Sequence, residues 1–237
     1  MENIKTALVT GGSRGIGLGV AESLLEDGYR VMITGRNRQR LEEAVANLSE
    51  KYGDRIASHV SDVTRLESEK DTVSAMIDKW GSVDVVIANA GVGHFAPIQD
   101  LTPQQWNDVI DINLTGVFNT TKASLDALIQ SKGYLITIAS LAGTNFFKGG
   151  AAYNASKFGL VGFTQAVMLD VRHQGVKVTT IMPGSVATYF NDRTPSDADS
   201  WKIQPEDIGQ MVLDLLHMHP RTLPSKIEVR PSVPPSK

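Results

Sequence analysis

Short apolar, β-branched runs alternate along the chain with longer stretches whose apolar residues recur every three or four positions. The runs are Thr6–Thr10, Arg30–Thr34, Arg55–Val60, Val83–Ala88, Tyr134–Ala139, Val176–Met182 and Lys226–Val229. They read as near-continuous apolar segments, so they predict strands buried on both faces of a parallel sheet. Between them, Leu41, Val45 and Leu48 mark one helix face, and Val73, Met76, Ile77 and Trp80 mark another within Asp71–Trp80. Helical patterns also cover Thr102–Ser131 and Tyr153–Gln174. Strand and helix alternate throughout, which predicts an α/β domain with helices on both sides of its sheet.

No internal repeat and no Pro-, Gly- or Ser-rich linker divides the chain, so residues 1–237 are expected to form one domain. The least regular stretch is 185–204, which contains NDRTPSDADS and precedes a helix that Pro205 and Glu206 could start. It has two readings: a mobile connection, or a lid over a substrate. The final segment, 231–237, holds three prolines and is expected to trail along the surface as extended chain.

Composition narrows the class. The 237 residues carry a net charge of -3, and such mild acidity argues against a nucleic-acid partner, which calls for a basic excess. There is no cysteine, which removes disulfides, thiol nucleophiles and thiolate metal sites and fits a reducing cytoplasm. The opening MENIKTALVTGG shows no secretory pattern, and no apolar run approaches the ~20 residues that a membrane-spanning helix needs. The expectation is a soluble, cytoplasmic protein with no membrane partner.

Directly after the first strand comes Gly11-Gly12-Ser13-Arg14-Gly15-Ile16-Gly17, opening a helix whose apolar face holds Ile16, Val20, Leu24 and Leu25. A glycine turn between strand and helix presents unpaired N–H groups at the positive end of a helix dipole, where a pyrophosphate fits. The spacing is G-x-x-x-G-x-G, not the usual G-x-G-x-x-G, and by itself it also suits a tight structural turn. The second strand leads to Arg36, 19 positions after Gly17. An acidic residue there would accept from an NAD ribose, whereas arginine offers a fork of donors to a 2′-phosphate. Arg14 could reach the same phosphate. The alternative for both is a solvated surface arginine.

Tyr153 and Lys157 lie four apart at the start of a helical pattern, so they share one face. A free phenol titrates near 10, and a neighbouring ammonium would bring it down toward neutral pH. As a bare motif this pair also occurs as surface decoration. It stands, however, with Ser140 and with Asn89-Ala90-Gly91, each ending an apolar run where a parallel sheet presents side chains to a ligand crevice, and with Asn113. Taken singly, the strand-end Asn and Ser could equally cap helices or turns.

The combination resembles the short-chain dehydrogenase/reductase family over nearly the whole chain, from TGGSRGIG through Asp62-Val63, ANAG, Asn113, Ser140, YNASK and Pro183-Gly184-Ser185-Val186-Ala187-Thr188. The resemblance implies a Rossmann-like, doubly wound parallel sheet of seven strands binding a nicotinamide cofactor at the strand carboxyl ends, and Arg36 and Arg14 favour NADP(H) over NAD(H). It implies that Tyr153 is the general acid/base, that Lys157 lowers its pKa and holds the nicotinamide ribose, that Ser140 bonds the substrate oxygen, and that Asn113 anchors a water relay to Lys157. Asp62 and Val63 match the adenine contact, and Asn89, Ala90 and Gly91 the cofactor cleft. Thr188, with the Val186 backbone, matches the carboxamide contact. No metal is implied.

The last strand departs from the family's common Asp-Gly-Gly ending, reading Ile227-Glu228-Val229-Arg230-Pro231-Ser232. That leans toward NADP-dependent carbonyl and hydroxy-acid dehydrogenases and away from 3-oxoacyl-carrier-protein reductases, which remain an alternative. A nicotinamide-binding sensor without turnover is another. The expected substrate is a small carbonyl or secondary alcohol. Candidate pocket residues are His94, Phe95, Phe146, Phe147 and Tyr189, each equally suited to ordinary packing. His217 and His219 read as polar surface. Thr102–Ser131 and Tyr153–Gln174 resemble the family's subunit-interface helices, which implies a homodimer or homotetramer.

Overall fold

A computed structural model describes residues 4–235. Seven strands form one sheet: β1 (Thr6–Thr10), β2 (Arg30–Gly35), β3 (Ile56–Val60), β4 (Val85–Ala88), β5 (Tyr134–Ile138), β6 (Lys177–Pro183) and β7 (Lys226–Val229). Their order is β3-β2-β1-β4-β5-β6-β7, and every neighbouring pair is parallel. The chain winds outward from β1 in one direction, then returns to add β4 on its other side. At that reversal the connections leave β1 and β4 on opposite faces, and a crevice opens at the strand carboxyl ends.

The helices are α1 (Gly15–Glu26), α2 (Arg38–Tyr52), α3 (Leu66–Trp80), α4 (Pro103–Ile110), α5 (Gly116–Ser131), α6 (Ala151–Val171) and α7 (Pro205–His217). Alternate side chains of β1 feed two cores. Ala7 and Val9 pack with Leu24 of α1, Leu41 of α2 and Ile208 and Val212 of α7. Leu8 packs on the other face with Met76 of α3, Leu128 of α5 and Leu160 of α6. All of these are almost fully buried, each large side chain contributing about 1.5–3 kcal/mol. This is why the strands read as unbroken apolar runs.

Three strand starts differ from the expected ones, each for a local reason. Gly53, at φ +61°, turns the chain into a single 3₁₀ turn through Arg55, so β3 begins at Ile56. Asp84 bonds with its carboxylate to the Thr6 N–H at 2.9 Å and the Ser82 hydroxyl at 2.9 Å, so β4 begins at Val85, two residues after the expected Val83. The sixth strand begins at Lys177 and runs on to Pro183, paired in register with Val229. In α3, Ile77 lies outside the buried stripe and is exposed, the face being set by Val73 and Met76. β7 is an edge strand whose residues alternate between exposed and half-buried.

The stretch expected as one helix, Thr102–Ser131, is continuous but contains a five-residue π turn, Asp111–Thr115, between α4 and α5. Thr102 and Gln105 cap α4 reciprocally. The irregular segment 185–204 is closed at its base. Val186 and Ile203 form a parallel bridge, Ala187 N donates to Ile203 O at 2.9 Å, Ile203 N donates to Ser185 O at 3.1 Å, and Ile203 is buried in the core. Residues 231–235 have no regular structure, while Met1–Asn3, Ser236 and Lys237 lie outside the described residues. His217, read as polar surface, bonds Asp27 at 2.9 Å and so ties the end of α7 to the end of α1. Among the described residues, no helix is long and apolar enough to cross a membrane.

Candidate active site

A cavity of about 750 Å³ lies along the carboxyl ends of the strands. Its first wall is the glycine loop. Gly11 and Gly15 take left-handed φ values of +64° and +57°, which the loop needs to turn from β1 into α1. A Cβ on Gly11 would lie 3.0 Å from the Ala90 backbone, and one on Gly15 would lie 3.4 Å from Thr188. Gly17 is not on the cavity surface: it is buried beneath it, where a Cβ would meet Asn89 Nδ2 at 2.6 Å. It serves the loop by letting α1 approach β4.

Asn89 holds this loop from the other side. Its Nδ2 donates to Thr10 O at 2.9 Å and Gly11 O at 3.2 Å. The Thr10 hydroxyl in turn accepts from the N–H groups of Asn89 and Ala90 at 3.0 and 3.1 Å. The ends of β1 and β4 are thus stitched together by buried polar groups. The first turn of α1 has no capping side chain and no acidic residue, since its N-cap is Arg14. Uncapped N–H groups facing a cleft, with no carboxylate to answer them, suit a phosphate group.

Beyond β2, the cavity is lined by Ser13, Arg14, Arg36, Asn37 and Arg40. The three arginines are exposed, and none takes part in an ion pair found among the described residues. Asn37 caps α2 by accepting from Arg40 N at 2.9 Å, which fixes the spacing of Arg36 and Arg40. Past β3 come Ser61, Asp62 and Val63. Asp62 turns on Thr64, accepting from its N–H and hydroxyl at 3.0 and 2.8 Å. Ser61 donates at 2.6 Å to Glu69, whose other oxygen accepts from Thr120 at 2.6 Å. Glu69 is 1% exposed. Asn119 donates to Val63 O at 2.8 Å, completing an anchor that holds this loop against α3 and α5.

At the middle of the cavity stand Ser140, Tyr153 and Lys157. Ser140 follows β5, its Oγ accepting from Ala142 N at 3.1 Å. Tyr153 and Lys157 lie one turn apart on α6. Burial pushes the Tyr153 phenol above its ordinary 10, and a hydrogen bond with the Ser140 hydroxyl draws it back. The expected lowering by Lys157 is therefore reversed in direction by desolvation. Lys157 is itself pushed down by burial to about 8. Its ammonium donates to Ile138 O at 3.0 Å and sits 5.7 Å from the centre of the Tyr153 ring.

Residues 5–199 match the family model described as short chain dehydrogenase. The chain belongs to that family. An uncharacterised oxidoreductase of Staphylococcus aureus is 34% identical over 96% of this chain and 97% of its own. Among solved structures, an alcohol dehydrogenase of the archaeon Thermococcus sibiricus, complexed with 5-hydroxy-NADP, superposes with a TM-score of 0.92 at 28% identity, covering 99% of each chain. A metagenomic short-chain oxidoreductase in complex with NADP gives 0.84 at 32% identity, over 97% of this chain and 98% of the other. The protein is accordingly a short-chain dehydrogenase-type oxidoreductase.

Most residues expected at the dehydrogenase site do line the cavity: Gly11 through Ile16 without Gly12, Arg36, Asp62, Val63, Asn89, Ala90, Gly91, Pro183, Gly184, Val186 and Thr188, besides the central three. Asn113 does not. It sits fully buried in the π turn, where Oδ1 accepts from Val92 N at 2.8 Å and Nδ2 donates to Val92 O at 2.9 Å and Ser156 Oγ at 3.1 Å. Its side chain is fully engaged, lying behind the cavity wall on Val92 rather than on the cavity surface. Of the pocket candidates, Phe95 and Tyr189 line the cavity. His94 faces Asp108 at 3.6 Å instead. Phe146 is 87% exposed and outside the cavity lining. Phe147 reaches the site only through Phe95, at 5.7 Å between ring centres.

Sequence reasoning missed Arg40, Ser61, Glu69 and Phe190. Arg40 had a usable signal, being one helical turn after Arg36. Phe190 follows the singled-out Tyr189 directly but turns its ring to Tyr153 at 5.7 Å, which only the loop's path decides.

Proposed function

We propose that this dehydrogenase reduces a small ketone or aldehyde with NADPH, reversibly, with Tyr153 as general acid and base. The observation that carries the reading is Tyr153 beside Ser140 and Lys157, in one cavity with an uncapped helix N-terminus and with Arg14, Arg36 and Arg40. The NADP-bound structural neighbours support it. The glycine loop would hold the pyrophosphate; Arg14, Arg36 and Arg40 would take the 2′-phosphate through charge-assisted forks. Thr188 and the Val186 backbone would hold the carboxamide.

When bound, NADPH would supply the hydride that the carbonyl carbon takes up. Tyr153 gives its phenolic proton to the carbonyl oxygen, and Ser140 orients that oxygen by hydrogen bonding. The protein thereby supplies position and protonation. The Lys157 ammonium, charged at neutral pH with its pKa at about 8, opposes the negative charge that develops on the phenol. Asn113 is a positioning residue. It holds Val92 and, through Ser156, whose hydroxyl donates to Tyr153 O at 2.8 Å, it fixes the start of α6. Segment 185–204 supplies the far wall over the substrate through Thr188, Tyr189 and Phe190.

A Tyr153→Phe variant should bind NADPH as the wild type does, measured by calorimetry, and lose at least ~100-fold in turnover. Unchanged turnover would overturn the assignment. Exposed Trp106, Phe118, Phe158 and Leu169 lie on α4, α5 and α6. They support a homodimer or homotetramer assembled through those helices.

A further inference from the structure

We propose that the carbonyl substrate is neutral and carries an aromatic ring next to its reacting group; this rests on the reductase reading above. The geometry points there through three phenylalanines, delivered by three different connections: Phe95 and Phe190 meet Tyr153, and Phe147 backs Phe95. Phe95 comes from the loop after β4, Phe147 from the segment between β5 and α6, and Phe190 from the segment after β6. The Phe95 ring lies 5.4 Å from Tyr153 at 71°, 5.7 Å from Phe147 at 57° and 6.2 Å from Phe190 at 60°. Tyr153 and Phe190 lie 5.7 Å apart at 56°. These are the tilted, edge-to-face arrangements in which a positive ring edge meets a negative ring face.

The cluster is not a by-product of composition, because only 6% of the chain is aromatic and three of its seven phenylalanines gather here. Backbone is cleared to let them in. A Cβ on Gly93 would meet the Phe190 ring at 2.7 Å and the Phe95 ring at 2.9 Å, and one on Gly150 would meet the Phe147 ring at 2.7 Å. Nor is it ordinary core. Phe95 is 41% exposed and lines the cavity together with Phe190, so ring surface remains for a ligand to cover.

Charge does not compete strongly at this end. Lys202, which also lines the cavity, is already paired with Asp199. His94 is directed to Asp108, and the carboxylate that lines the cavity, Asp62, follows β3 at the opposite end of the cleft. Arg193 lines the cavity but is exposed, so a 3-oxo acid is the alternative to be tested. A carbonyl held by Tyr153 and Ser140 would place its substituent among the rings of Phe95 and Phe190.

The test compares phenylacetone with cyclohexylacetone, methyl ketones of similar carbonyl reactivity and size, together with acetoacetate and butanal, by NADPH oxidation. The expected kcat/KM favours phenylacetone over cyclohexylacetone by about 10-fold, the size of two aromatic contacts. That ratio should fall toward 1 in Phe95→Leu and Phe190→Leu. Turnover with a wild-type ratio near 1, a ratio unmoved in both variants, or preference for acetoacetate overturns the aromatic assignment and leaves the reductase reading standing. If the leucine variants do not fold, the wild-type ratio and the acetoacetate comparison decide. Oxidation of NADPH by none of the four compounds, butanal included, overturns the reductase reading and this inference with it.

Discussion

The two ends of the cleft are built on different plans. The end beneath β1, β2 and β3 consists of short turns, each tied down within a few residues or by a buried polar clamp: Asn89 on Thr10 and Gly11, Asn37 on Arg40, and Glu69 on Ser61 and Thr120. The other end is walled by a long segment secured at its base by one bridge, Val186 to Ile203, and faced by rings from distant parts of the chain. A group that never changes can be met by fixed backbone. A variable one is better met by side chains on a loop, which can be altered without disturbing the sheet. The contrast fits the proposed roles of the two ends, cofactor at the first and substrate at the second.

Removing the deepest clamp should cost most. Glu69→Ala leaves two buried hydroxyls without their charged acceptor, and denaturant unfolding should show a loss of about 4 kcal/mol, from two charge-assisted bonds. A loss below 1 kcal/mol would mean that this end is not held as described. At the other end, Ile203→Ala should cost about 3 kcal/mol for a buried aliphatic side chain. It should also speed proteolytic cutting within 188–202 and weaken NADPH only modestly in calorimetry, through the Val186 and Thr188 contacts alone. If affinity fell as steeply as stability, the two ends would not be independent.

A finer test concerns the arginines. Arg14→Ala combined with Arg36→Ala should weaken NADPH by about 30-fold, roughly 2 kcal/mol at exposed charge-assisted contacts, and NADH far less. Equal losses would remove the 2′-phosphate role.

The smallest effect is a pH slope. Lys157 titrates at about 8 in the folded protein against an ordinary 10.5. Between those values the unfolded chain binds more protons, so stability rises with pH there. From pH 8 to 9 the gain should be about 1 kcal/mol, and it should be missing from Lys157→Met when the two pH-dependent unfolding curves are subtracted.

The same contrast explains what could be read from sequence. The sheet was legible because buried parallel strands must be apolar on both faces, and β1 and β7 fell on their expected residues. The glycine loop, Arg36, Ser140, Tyr153 and Lys157 were legible because their spacing is local: strand end, turn, one helical step. Glu69 was not, because a glutamate in a helical pattern reads as solvated surface until Ser61 and Thr120 are seen to converge on it. The ring cluster was only half visible. Phe95, Phe147 and Tyr153 were singled out and Phe190 was not, because contacts such as Phe95 with Phe190 depend on how two loops cross, which no periodicity records. That His94 and Phe146 lie outside the cavity lining was hidden for the same reason. The direction of the Tyr153 shift was missed because desolvation depends on three-dimensional burial, while sequence shows only the nearby charge.

The π turn at Asp111–Thr115 lets one rod serve two masters. An added residue in a turn rotates everything beyond it by about 100° relative to an unbroken α-helix. The segment before the turn therefore presents its stripe to α6, and the segment after it presents its own to α3. Deleting a single residue there would bring the two halves into phase, and one of the two neighbours would lose its partner. The widened coil is a phase shifter, and Asn113 sits where the phase changes.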